Sequence, residues 1–199
     1  MVIMGNVNRK IIAIVLVILI ILSLAACGPG DKPASNTSGG DELELDAAGE
    51  GSDITDNFTD PVFKAYVYAL IGKKDGEPIY ESDVESIIKI DVSCAMITSL
   101  DGIEYFAALT ELNCSGNQLT ELDVSGTTAL KKLYCENNQL TDLDLSENID
   151  LTYVSCAGNQ LAGIDVSNNA HLETLICDKT LEGEIQGLPE GCKVDYENP

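Results

Sequence analysis

Apolar positions between residues 109 and 171 recur with a period of 21 residues. Three complete units follow one another: LTELNCSGNQLTELDVSGTTA (109–129), LKKLYCENNQLTDLDLSENID (130–150) and LTYVSCAGNQLAGIDVSNNAH (151–171). In the first unit, Leu112 and Cys114 alternate with polar residues, which predicts a short strand with both side chains on one face. The opposite wall of the coil is predicted to contain Leu119, Leu122 and Val124, whose side chains also point inward. Because one coil cannot cover its own interior, the pattern indicates a stack of coils.

A degenerate unit of 22 residues (87–108) precedes these three, and a truncated unit begins at Leu172. Each complete unit reads L-x-x-L-x-C-x-x-N-x-L, a motif that resembles the signature of bacterial leucine-rich repeat proteins over residues 87–183. The resemblance implies an α/β repeat solenoid. We expect a short coil of about five turns that is right-handed, with parallel strands about 4.8 Å apart lining a concave face.

The repeat places identical side chains in columns that run through the stack. One column consists of the cysteines Cys114, Cys135, Cys156 and Cys177, and a second consists of Asn117, Asn138 and Asn159. Free cysteine is among the most buried residue types, so we expect reduced thiols in the core. Buried asparagines at a turn can bond the backbone of adjacent coils. The pattern makes no prediction for Cys94 and Cys192.

Short caps are predicted at both ends of the repeats. At residues 60–86, Asp60 and Pro61 are typical of a helix start, Gly72 ends the helical pattern, and Ser82 with Glu85 predicts a second helix. The apolar stripe of the first helix is expected to contain Phe63, Tyr66, Val67 and Leu70. At residues 184–199, Leu188 and Val194 are expected to cover the last coil.

The first 26 residues read as an export signal, with Arg9 and Lys10 before an apolar run that ends in small residues. The ending LAAC (24–27) resembles the lipobox of bacterial lipoproteins. This resemblance implies cleavage before Cys27, acylation of its thiol, and a membrane-anchored protein on the extracytoplasmic face. The alternative is an uncleaved signal anchor. Residues 27–59 are rich in Gly, Ser, Asp and Glu, which predicts an acidic, disordered tether.

Charge and candidate chemistry narrow the possible functions. The net charge of −22 disfavours a nucleic acid partner. The single histidine, His171, lacks an orienting group, and the cysteine spacing does not match a zinc site, so we predict no enzyme, cofactor or metal. The column Asp123, Asp144 and Asp165 could bind calcium, but each aspartate is followed two residues later by a serine. That spacing favours local capping of turns.

The concave face is the best candidate for a binding surface. Its central positions, predicted to contact a ligand, are Lys132, Tyr134, Glu136, Tyr153, Ser155 and Ile176. Tyrosine favours recognition because it buries a large area at low entropic cost, although β-propensity alone could also explain its presence in strands. We therefore expect a non-catalytic, lipid-anchored recognition module for a protein or glycan ligand at the cell surface. The alternatives are a structural spacer without a ligand and, less favoured, an enzyme subunit.

Overall fold

The computed structural model describes residues 51–197, and these residues form a stack of coils held by parallel strands. The strands are β1 (Lys89–Asp91), β2 (Glu111–Asn113), β3 (Lys132–Tyr134), β4 (Tyr153–Ser155), β5 (Ile164–Asp165), β6 (Thr174–Asp178), β7 (Ile185–Gln186) and β8 (Lys193–Glu197). Six of them form one sheet in the order β1-β2-β3-β4-β6-β8. β5 and β7 pair in parallel on their own. The predicted solenoid of about five turns is confirmed.

The strand register follows the 21-residue period. Leu112 pairs with Leu133, which belongs to the next coil, and Leu133 pairs with Val154. All three side chains are completely buried. In-register stacking therefore places each apolar residue above its own counterpart, and every coil buries the open face of its neighbour.

The N-terminal end of the stack is covered by helix α1 (Pro61–Ile71). As predicted, Asp60 caps this helix, accepting hydrogen bonds from the backbone N–H groups of Val62 and Phe63, and Gly72 ends it in the left-handed conformation. The other carboxylate oxygen of Asp60 accepts from the backbone N–H and the hydroxyl of Thr98 in the first coil. One buried aspartate thus joins the helix to the repeats.

Three details of this cap differ from the predictions. Helix α2 spans Glu81–Val84, and Asp83 accepts the backbone N–H of Tyr80, so the capping pair is not Ser82 and Glu85. In α1, Leu70 is 40% exposed, whereas Tyr68 is buried. The hydroxyl of Tyr68 donates to the carbonyl of Glu77, which holds that ring against the loop instead of in solvent.

The ordered domain also begins earlier than residue 60. Ile54 and Phe58, which we expected in the tether, are each only 2% exposed. The ring of Phe58 packs edge-on against Phe63 and Phe106, with centroids 5.7 and 6.4 Å apart. The backbone N–H of Ile54 donates to the carbonyl of Ile79. The signal segment and residues 27–50 of the predicted tether, including Cys27, lie outside the described residues.

The C-terminal segment extends the sheet instead of capping it with apolar side chains. β8 pairs in parallel with β6 over five residues, from Lys193 opposite Thr174 to Glu197 opposite Asp178. Val194 is partly buried against the core, as expected. The prediction for Leu188 is wrong, because this side chain is 41% exposed. The backbone hydrogen bonds between β8 and β6 therefore cover much of the C-terminal end of the stack.

Candidate binding site on the concave face

The outward-facing residues of the six-stranded sheet form three columns, which we call the concave face. The first column is Lys89, Glu111, Lys132, Tyr153, Thr174 and Lys193; the second is Asp91, Asn113, Tyr134, Ser155, Ile176 and Asp195; the third is Ser93, Ser115, Glu136, Ala157, Asp178 and Glu197. The register predicted from the repeat agrees with this arrangement. The sequence pattern therefore located the surface on which the candidate residues lie.

The candidate residues lie on adjacent strands in the middle of this face. Lys132 is opposite Tyr153, and Tyr134 is opposite Ser155, which in turn is opposite Ile176. Glu136 follows β3 by two residues, so its side chain extends from the same face as that of Tyr134. The six positions thus form one continuous patch.

The two tyrosines of this patch contact each other. The ring centroids of Tyr134 and Tyr153 lie 4.9 Å apart, with an interplanar angle of 37°. Both side chains are half-buried. Burial raises the pKa of Tyr153, and the neighbouring Tyr134 and Glu136 raise it further. The rings therefore form a fixed aromatic surface on a sheet face that is otherwise mostly small or polar.

Ser155 differs from the other candidate residues because it is buried. It is only 1% exposed, and its hydroxyl has no hydrogen-bond partner. Glu136, which is half-buried, likewise has one carboxylate oxygen, Oε2, that is buried and accepts no hydrogen bond. The expectation that Ser155 is accessible on the surface is wrong. The hydroxyl of Ser155 is instead a buried polar group beneath the patch that has no hydrogen-bond partner.

Most other charged groups on the concave face have partners within the chain. Lys89 is ion-paired with Glu111, and Lys193 with Asp195. Asp178 is buried and accepts hydrogen bonds from the backbone N–H groups of the turn at Gly158 and Asn159. The sequence analysis did not identify this role of Asp178 in the turn.

The cysteine column forms the predicted ladder behind the sheet. Cys114, Cys135, Cys156 and Cys177 are all free and completely buried. Burial raises the pKa of Cys114 to about 12 and that of Cys177 to about 11, and it also raises the pKa of Cys135 and Cys156. The ladder thiols are therefore protonated at neutral pH, which removes them as partners for His171 in thiolate chemistry. His171 itself is exposed.

The asparagine column bonds successive coils together, as expected. Asn138 donates from Nδ2 to the carbonyls of Cys114 and Cys135, and its Oδ1 accepts the backbone N–H of Leu119. Asn117 and Asn159 make the corresponding bonds in their own coils. These side chains satisfy backbone groups at a turn that the short strands leave unpaired.

A second polar column was missed by the sequence analysis. Asn148 donates to the carbonyls of Val124 and Thr127, and Asn169 donates to those of Leu145 and Asn148. Both asparagines are completely buried. Their recurrence at the same position of successive repeats, where the preceding repeat has Thr127, was the signal that could have identified them.

The aspartate column caps local turns. Asp123, Asp144 and Asp165 each accept the backbone N–H of the serine two residues later, at 2.9 Å. Hydrogen bonds from these serines lower the pKa of all three carboxyl groups. Among residues 51–197, no group of three or more His, Cys, Asp or Glu side chains is arranged to hold a metal ion.

Comparison with known families supports the interpretation of the repeat. A family profile described as "Leucine Rich repeats (2 copies)" matches residues 107–150. The complete coils in this segment are therefore similar to leucine-rich repeats. Internalin J of Listeria monocytogenes serotype 4b (strain F2365) is 33% identical over 98 residues, which cover 49% of this chain and 11% of that protein. The chain therefore matches only a small part of this curated relative.

Two solved structures share the leucine-rich repeat fold. The functional domain of internalin J from Listeria monocytogenes, which includes a cysteine ladder, superposes with a TM-score of 0.60 and 29% identity, over 74% of this chain and 39% of that one. An internalin from Listeria monocytogenes strain 4b F2365 gives a TM-score of 0.55 at 22% identity, over 67% and 47% of the two chains. The second likeness concerns the fold only.

In the part of the chain from residue 51 to residue 197, no helix has the length and apolar character needed to span a bilayer.

Proposed function

We propose that this protein is a non-catalytic recognition module, anchored to the cell membrane by lipid at Cys27, that binds a ligand at the cell surface through its concave face. The observation that carries the proposal is the Tyr134–Tyr153 contact, with centroids 4.9 Å apart. An aromatic pair that is half-buried within a small and polar surface provides a large contact area at low entropic cost. The likeness to internalins, which are leucine-rich repeat proteins, also supports a binding role.

The test is a binding screen with the full chain, solubilised in a neutral detergent, against cell-surface protein extracts, glycans and peptidoglycan. A Tyr134→Ala/Tyr153→Ala variant is screened in parallel. We expect at least a tenfold loss of affinity, because removal of a central aromatic anchor typically costs about 2 kcal/mol or more of binding free energy. Circular dichroism of the variant checks that the fold is retained.

The matched control is Tyr196→Ala, which removes a tyrosine that is 38% exposed and lies outside the predicted patch. This variant should bind like the unmodified protein. Equal binding by the double variant would show that the site lies elsewhere. If neither the protein nor its variants bind anything in the screen, the molecule is better explained as a spacer.

The lipid anchor rests on the LAAC sequence at residues 24–27. In cells fed an alkyne-tagged palmitate, the protein should incorporate label into the membrane fraction, and Cys27→Ser should abolish incorporation. Cys94→Ser is the matched control, because Cys94 is an exposed free thiol in the folded domain. Label retained in Cys27→Ser would refute acylation at this cysteine.

A further inference from the structure

The centre of the concave face contains two polar groups that the chain itself does not satisfy. The Oε2 atom of Glu136 and the hydroxyl of Ser155 are buried and have no hydrogen-bond partner. Leaving a buried polar group unpaired is costly, and for a carboxylate the cost is greater. Ser155 is 99% buried, so water does not compensate its hydroxyl. Of these two residues only Glu136 is partly exposed, so its carboxylate is the group that a partner with hydrogen-bond donors can satisfy.

Aromatic rings lie beside these groups. Tyr134 precedes Glu136 by two residues on the same face, and Ser155 is opposite Tyr134 on the neighbouring strand. Tyr153 contacts Tyr134, and Glu136 contributes to the raised pKa of Tyr153. Glu136 therefore lies on the same face of the sheet as the ring pair, two residues beyond Tyr134.

The surrounding charge favours a cation. The three columns of the concave face contain three lysines and six carboxylates among the described residues. Two of the lysines are already paired with carboxylates. The third, Lys132, lies four residues from Glu136, which places their Cα atoms about 13 Å apart along an extended strand. Glu136 therefore keeps an uncompensated negative charge.

We propose that this patch takes the guanidinium group of an arginine side chain presented by a protein partner. The carboxylate of Glu136 accepts two of its N–H groups, and the rings of Tyr134 and Tyr153 contact its planar face. This inference rests on the proposed function and specifies the chemistry of the ligand.

Arginine fits these groups better than other ligands. Its planar fork presents five N–H donors that match a carboxylate in bidentate geometry, and it stacks on aromatic rings. A lysine ammonium is a compact, strongly hydrated charge that cannot form a bidentate pair. A neutral sugar could stack on the tyrosines but would leave the charge of Glu136 uncompensated.

The test measures the binding of short peptides to the full chain in neutral detergent by saturation-transfer difference NMR. The probes are Gly-Gly-Arg-Gly-Gly, the same peptide with citrulline, which is a neutral analogue of arginine, and N-acetylglucosamine, which is a neutral sugar. We expect the arginine peptide to bind at least tenfold more tightly than either of the others. Glu136→Gln should remove this preference, because it eliminates the charge with little change in shape.

The matched control is Glu121→Gln, which removes an exposed glutamate outside the concave face and should change the arginine affinity by less than twofold. An equal loss of arginine affinity in both variants would show that the peptide is attracted only by the overall negative charge of the protein. That result would overturn the proposal. Equal binding of the citrulline peptide, or tighter binding of N-acetylglucosamine, would also overturn it. Glu136→Gln should unfold at no lower temperature than the unmodified protein, since the oxygen it replaces has no partner.

The two proposals can fail separately. If Tyr134→Ala/Tyr153→Ala loses the surface ligand and Glu136→Gln retains it with unchanged affinity, the concave face is a binding site but the arginine assignment is wrong. If both variants retain the ligand, the concave face is not the binding site and both proposals are wrong.

Discussion

At the scale of single residues, the cysteine ladder shows how a repeat selects a side chain. Each ladder cysteine lies in the core immediately behind the sheet, where neighbouring coils approach closely. Three of the thiols contact a backbone carbonyl of the following coil, as Cys135 does with Ser155 at 3.4 Å between sulfur and oxygen. The first coil has Val92 at the equivalent position, and β8 has Tyr196 opposite Cys177. The cysteine column is therefore confined to the coils between the first coil and β8.

The ladder thiols make stability sensitive to alkaline pH. In the unfolded chain the thiols ionise near their ordinary pKa of 9.0, whereas burial raises the pKa of Cys114 to about 12 and that of Cys177 to about 11 in the folded protein. Between these values the folded state holds more protons than the unfolded state. The free energy of unfolding should therefore be insensitive to these thiols below pH 9 and fall by about 1.4 kcal/mol per pH unit per thiol above it.

Urea denaturation at pH 7, 9.5 and 10.5 measures this effect. Cys135→Ala is the control, because it removes one ladder thiol whose pKa is raised by burial. We expect this variant to be less stable at pH 7 because of the cavity. Its stability should nevertheless fall less steeply between pH 9.5 and 10.5. Parallel pH curves for the two proteins would contradict the assignment of the alkaline loss to the ladder.

At the scale of elements, the first coil is longer than the others and alters the packing of the second. It contains the 3₁₀ turn Ile103–Tyr105, and the middle residue of this turn, Glu104, presses against Gly126 of the next coil. A Cβ atom added to Gly126 would lie 2.6 Å from the Cβ and 2.8 Å from the Cα of Glu104. The equivalent positions in the following repeats are Glu147 and Asn168. Glycine is therefore required at this position only beside the longer coil.

Gly126→Ala should accordingly destabilise the protein. The new methyl group meets backbone atoms that cannot move independently, and such overpacking typically costs about 1–3 kcal/mol. Gly51→Ala is the matched control, because its Cβ would lie at an ordinary distance of 3.5 Å from Glu81. That substitution should be neutral or slightly stabilising, since it reduces the entropy of the unfolded chain. Thermal unfolding of both variants measures the difference, and equal melting temperatures would refute the close contact.

At the scale of the whole molecule, the two ends of the stack are closed differently. A helix and a cluster of three phenylalanines cover the first coil, and Asp60 connects them to it. At the other end, β8 is the last strand of the sheet, and Tyr196 in the ladder column is 38% exposed. The N-terminal end is therefore sealed by side chains, and the C-terminal end mainly by backbone hydrogen bonds to a final strand.

The repeat made most of the fold predictable. In a solenoid, a residue contacts its own counterpart one period away, so a column in the sequence becomes a column in the structure. Cys135 and Asn138 were predicted correctly for this reason, as was the contact between the strand positions of Tyr134 and Ser155. The second asparagine column obeys the same rule and could have been predicted.

The sequence by itself therefore determined everything that repeats: the strands, their register, the buried thiols and the residues that share the concave face. The tertiary structure decided what does not repeat. It buried Ile54 and Phe58, exposed Leu188 and left the polar groups of Ser155 and Glu136 unpaired. These outcomes depend on which unrelated side chains meet at an end or across two coils, and periodicity carries no information about such contacts.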